Sequence, residues 1–264
     1  MRRIGQALAI ASIFLVFSPE WVPLDPWLVR GGAVTFFLVG LTIAVLGAIL
    51  ASLPENARMD AIEDDAVPAP CLALVQDIEA LGFSRLGPAL RVHLEPEASL
   101  VPLWHAAHRS YSTVFVSDGA PAQAHYDFVT VFEPGRVALT SAANPGAGVL
   151  PLAQGTFPQI FPGAAPGALL ERHQEGRDHI AAATRTQPQP CCADFQELLR
   201  GALRRQRAVF LRAPLRHTWT ALFRVLTKRT PALGPVAEQT LARAWLEAWD
   251  PLAPADADDV LAAP

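Results

Sequence analysis

The chain has 264 residues, 51% of them hydrophobic, a formal net charge of −4 and three cysteines. Cysteines so few, with Cys191 and Cys192 adjacent, exclude a disulfide-stapled scaffold, and the small net charge singles out no class of partner. Once apolar segments at the N-terminus are set aside, the remainder suffices for one domain with a substantial core.

Arg2 and Arg3 precede an apolar run, 4–17, followed by Pro19. No small-residue cleavage pattern follows that run, so it reads as a first crossing, 4–20. If 1–18 is instead a secretory signal, the large domain lies on the outer side of the membrane. Residues 31–53 carry no charge and predict a transmembrane helix over 27–53, capped by Asp25 with Pro26 in the first turn. Gly40, Ala44 and Ala48 share one face at four-residue spacing, which suits close approach of another membrane helix. Arg2, Arg3 and Arg58 flank the expected hairpin and Arg30 lies in its connection, so the positive-inside bias puts both ends in the cytoplasm of a bacterial-type cell.

Residues 54–70 are acidic and bounded by proline, which predicts a flexible tether. A short helix, 71–81, ends at Gly82 with Leu74, Ile78 and Leu81 on one face. The period then changes to two at Leu90, Val92 and Leu94, and strand patterns follow at 111–116, 125–132 and 136–141. Glu133-Pro134-Gly135-Arg136 has the chemistry of a type II turn. Alternation in 125–132 places Asp127 on the outward face. The Pro- and Gly-rich segment 144–167 carries enough apolar residues to wrap the sheet. Helical patterns follow at 168–183, at 195–210 with Asp194 as N-cap, and at 236–249, where Leu241, Trp245 and Trp249 form the buried stripe. The tail 251–264 is acidic and expected to be disordered. The expected architecture is α+β: a transmembrane hairpin, then one domain, 71–250, with an antiparallel β-meander and about four helices.

Between Glu197 and Glu238 the chain has eight arginines, the single lysine Lys228, and no acid. Arg200, Arg204, Arg205, Arg207 and Arg212 fall opposite the apolar face of the 195–210 helix, a candidate surface for anionic lipid headgroups. Nucleic acid is not expected as a partner, since no recognised nucleic-acid fold or aromatic interleaving accompanies them. His105 and His108, with His125 and Asp127, form a possible polar site on the meander, and His173, His179, Cys191 and Cys192 a second nominal set. Neither has metal-ligand spacing, so no metal or cofactor is expected. Cys71, near the membrane, is a nominal acylation site. No nucleophile elbow, Walker loop or dinucleotide fingerprint is present. These features predict a membrane-anchored binding or regulatory module, with the lipid bilayer and another membrane protein as candidate partners. The alternative is a membrane-tethered enzyme using the meander's polar residues.

Overall fold

A computed structural model describes residues 25–117, 124–133, 137–144, 155–192, 194–227 and 233–249, together with Gln6. The expected first crossing (apart from Gln6), the centre of the Pro-Gly turn and the acidic tail lie outside the described residues.

Helix α1 (Pro26–Ser52) starts where the sequence places it: Asp25 Oδ1 accepts the Trp27 N–H at 2.8 Å, and Pro26 occupies the first turn. Among the described residues it is the one helix long and apolar enough to cross a membrane, with mean hydropathy 2.5 over Val29–Ser52. Its hydroxyls need no outside partner, because Thr35 and Thr42 donate to the Gly31 and Leu38 carbonyls at 3.0 and 2.7 Å.

Eight strands form one mostly antiparallel sheet: β1 (Met59–Ile62), β2 (Ser84–Arg85), β3 (Ala89–Val92), β4 (Ala98–His105), β5 (Ser110–Ser117), β6 (His125–Phe132), β7 (Val137–Ala142) and β8 (Thr156–Ile160). Their order is β1-β3-β4-β5-β6-β7-β8, with β2 paired to the far end of β4 and only β7 and β8 parallel. The other helices are α2 (Ala69–Glu79), α3 (Pro166–Thr184), α4 (Phe195–Arg212), α5 (Pro214–Thr227) and α6 (Thr240–Glu247).

Three sequence expectations need correction, and one strand, β4, carries no pattern that predicts it. The acidic tether contains β1, which pairs with β3 from Met59↔Val92 to Ile62↔Ala89 and buries Ala57 and Met59. Its Asp60 belongs to a charged sheet edge, binding Arg58 Nε at 3.2 Å and His93 Nε2 at 2.8 Å, while His93 Nδ1 meets Glu97 at 2.9 Å. The central strand β4 gives no alternation because Ala98 through Leu103 are all buried, and Pro102 argues against a strand. That proline is tolerated because its carbonyl side, which accepts the Leu86 N–H at 3.0 Å, faces the place where the neighbour changes from β3 to β2. The wrapping segment 144–167 contains β8, an edge strand on which Pro158 costs no ladder bond on the outer side. Finally, the expected stripe on the last helix holds in part: Trp245 and Trp249 pack against the core beside the buried Ala242 and Leu246, while Leu241 is 86% exposed.

Strand register divides the side chains between two faces. One face carries Val101, Leu103, Val114, Phe128, Phe132 and Leu139, packed under α2 and α3 in two adjoining clusters, the second extended by α6. On the other face, Met59, Leu90, Val92 and Leu100 meet Phe195, Leu199 and Leu203 of α4. Helix α4 then continues to α1, where Leu203 and Phe210 join Val45, Leu46, Ile49 and Leu53, and α5 packs along the same helix through Ala221.

Candidate functional site

Helix α4 covers the β1-β3-β4 half of its face closely and leaves a space over the β5–β8 half. The cause lies in β7, where Val137, Leu139 and Ser141 point toward α3 while the small Ala138, Thr140 and Ala142 point toward α4. With Val129 and Val131 of β6 and Leu198, Ala202 and Leu203 of α4, they line a half-open cavity of about 580 Å³. That volume suits a small organic ligand, for which pockets run from about 300 to 1,000 Å³. Ser52 and Leu53, at the C-terminal end of α1, contribute to its wall.

Polar side chains are interspersed in this largely apolar wall. Asp127 and Thr113 are cross-strand partners, and the Thr113 hydroxyl donates to Asp127 Oδ1. Burial pushes the Asp127 carboxyl up to about 6, tempered by that hydrogen bond. Arg205 and Gln206 approach from α4, and desolvation together with the neighbouring Arg204 holds the Arg205 guanidinium below its ordinary pKa. A carboxyl whose folded pKa is raised contributes stability that is full below the unfolded value near 3.9 and lost as pH rises through about 6. Asp127→Asn is therefore expected to stabilise the protein by about 1–2 kcal/mol at pH 7.5 and by nothing at pH 3.5. Denaturant titrations at the two pH values check this.

The three residues expected as a polar site do not converge. His125 shares the cavity face with Asp127 and lies against Phe115, ring centroids 5.6 Å apart. His105 pairs with Ser110, whose register places it on the opposite face, and its ring contacts Phe83 and His108 at 5.0 and 4.1 Å.

The arginines are mostly engaged within the chain. Arg200 donates to the Ala57 carbonyl at 3.3 Å and lies 3.7 Å from Glu197, which also binds Arg204. Arg207 donates to the Leu53 carbonyl at 2.7 Å and to that of Leu50 at 3.4 Å, neutralising the unpaired carbonyls at the end of α1. Arg212 is exposed at the last turn of α4, whose N-cap Asp194 accepts the Glu197 N–H at 3.1 Å as the sequence indicates. Arg207→Ala is expected to cost about 1–3 kcal/mol and to speed amide exchange in the final turn of α1, measured by hydrogen–deuterium exchange on the full chain.

No group of three or more His, Cys, Asp or Glu among the described residues is arranged to hold a metal. His173 is buried, whereas His179 and Cys191 are exposed. Cys71 is fully buried in the α2 interface and its thiol is pushed up to about 11 by that burial, which closes it to acylation.

His173 belongs to a buried polar chain that the sequence reading did not pick out. Gln159 Oε1 accepts the Val236 N–H at 2.8 Å, which orients the amide so that Nε2 donates to Ser141 at 2.9 Å. Ser141 bonds His173 Nδ1 at 2.9 Å, and His173 Nε2 bonds Thr130 at 2.8 Å, which meets Ser110 at 2.7 Å. Assigned from this order, the ring carries its proton on Nε2. Gly176 leaves space for it, since a Cβ there would come within 2.6 Å of Gln159 Nε2. The available signal was spacing: His173 and Gly176 fall at i+4 and i+7 from Leu169, on the stripe that ends at Ile180.

No protein-family model, curated protein or solved structure matches this chain.

Proposed function

We propose that this protein is a membrane-anchored binding module in which α1 crosses the bilayer and the cavity beside α4 holds the hydrocarbon chain of a lipid or fatty acid. The observation that carries the reading is the cavity, about 580 Å³ with mostly apolar walls, whose lining includes Ser52 and Leu53 at the end of the apolar helix. A hydrocarbon chain leaving the leaflet would exchange one apolar environment for another, so its uptake needs no passage through water. Among the described residues, Asp127 and Arg205 are the charged groups on the cavity wall and would set which headgroup is accepted. The arginine placement around the expected hairpin supports a cytoplasmic domain at the inner membrane.

A second reading, a membrane-tethered enzyme, draws on Asp127, a carboxyl with a raised pKa inside a cavity. The first reading is favoured because the only side chain hydrogen-bonded to that carboxyl among the described residues is Thr113, and the rest of the wall is largely aliphatic or aromatic.

The test uses the full chain in membranes with a fatty acid bearing a diazirine near its methyl end. Illumination is expected to label peptides from β7 and α4 as well as α1. Label confined to α1 would remove the cavity from the account.

A further inference from the structure

Helix α5 buries one side and leaves an apolar side uncovered. Thr218, Ala221 and Leu222 are buried, the helix packs against α1, and Ala221 joins the cluster of Ile49, Leu53 and Phe210. At 100° per residue, Leu215, Trp219, Phe223 and Leu226 form a second stripe about 80° wide, and all four are 43–70% exposed. Arg216 and Thr220 follow on the next sector, also exposed. Three sectors, buried, apolar-exposed and polar-exposed, describe a helix lying on its protein with a lipid-facing edge and a water-facing edge.

We infer that α5 is a second membrane contact: its Leu215–Trp219–Phe223–Leu226 stripe is immersed in the hydrocarbon of the leaflet that α1 leaves, while Arg216 and Thr220 face headgroups. The inference rests on the proposed crossing by α1 and commits to lipid on two grounds. Helix α5 packs against the last turns of α1, beside Val45, Leu46, Ile49 and Leu53, so if α1 spans, the stripe lies at the headgroup–acyl boundary of that leaflet. The exposed apolar surface is also continuous in character with Val34, Phe36, Leu38 and Val39 of α1, which are 41–57% exposed and would meet the same hydrocarbon. Two membrane contacts, α1 and α5, would then bracket α4 and hold the cavity against the bilayer surface. Arg207 of α4 serves this arrangement by securing the end of α1 through the Leu50 and Leu53 carbonyls.

Spin labelling of the full chain, with Cys71→Ala, Cys191→Ser and Cys192→Ser as background, tests the inference in phosphatidylcholine vesicles containing phosphatidylglycerol. Single nitroxides are placed through Leu215→Cys, Trp219→Cys, Phe223→Cys, Leu226→Cys, Arg216→Cys and Thr220→Cys, with Phe36→Cys reporting on α1. The four stripe positions are expected to be several-fold more accessible to oxygen than to a water-soluble nickel chelate, with the preference reversed at Arg216 and Thr220. If Phe36→Cys reports lipid while the stripe reports water, the α5 inference fails and the anchored reading stands. If both report water, both fail. A stripe immobilised and shielded from both reagents means that protein covers it, which also overturns the inference.

Discussion

Replacing His173 with leucine is expected to destabilise the full chain by about 2–4 kcal/mol at pH 7, and by progressively less relative to the native chain as pH falls. The imidazole is fully buried and bonded through both nitrogens, to Thr130 at 2.8 Å and Ser141 at 2.9 Å. Leucine has a similar bulk but leaves both hydroxyls one partner short, at about 1–3 kcal/mol for each buried group left unsatisfied. Burial first, then the positive field of Arg177 and the nearby His108, holds the His173 pKa down to about 3. A histidine with a depressed folded pKa contributes stability that is present above its unfolded value near 6.5 and is lost as pH falls toward about 3, at up to about 1.4 kcal/mol per pH unit. Asp127 acts in the opposite sense, gaining stability as pH falls from about 6 toward its unfolded value near 3.9. Between pH 4 and 6 the two slopes offset each other in the native chain. His173→Leu removes one, so the variant should gain stability relative to the native protein as pH drops through that window. Urea titrations at several pH values read the difference, and a variant that parallels the native curve would show that the buried network does not set it.

Filling the cavity has the other large expected effect. Ala138 of β7 and Ala202 of α4 face it from opposite walls, so Ala138→Phe with Ala202→Phe should occupy the volume a hydrocarbon chain would use. Because the rings enter space that is already present, overpacking is limited, and stability should change by no more than about 1–2 kcal/mol in either direction. Labelling of β7 and α4 by the diazirine fatty acid should fall about tenfold or more, equivalent to roughly 1.4 kcal/mol of binding. Labelling of α1 should be unchanged. Undiminished labelling of the domain would place the ligand elsewhere.

Local chemistry was legible in the sequence wherever a single residue decides an element. Asp25 and Pro26 start α1, Asp194 starts α4, and alternation places β5, β6 and β7 within about a residue of their observed limits. Features that depend on what lies across the sheet were not legible. Strand β4 is buried on both faces and interrupted by Pro102, so no period marks it; β1 is disguised by edge charges; β8 is disguised by Pro158. Helix α5 lies within the arginine-rich stretch, where charge pattern draws attention away from Leu215, Trp219 and Phe223. The polar site was half visible. Asp127 and His125 share a face by simple parity, but only the β4–β5 and β5–β6 registers reveal that His105 belongs to the other one. The cavity could not be read from any segment, because its volume comes from small residues on β7 meeting the apolar face of a helix more than fifty positions later.

The central claim is that a bilayer-anchored chain holds one hydrocarbon-bearing molecule in the space between its sheet and α4. Native mass spectrometry of the full chain, released gently from membranes, tests this most directly. The account predicts one retained lipid or fatty acid per chain, lost in Ala138→Phe with Ala202→Phe. A native chain that flies without bound lipid, or a filled variant that retains the same molecule, would contradict it.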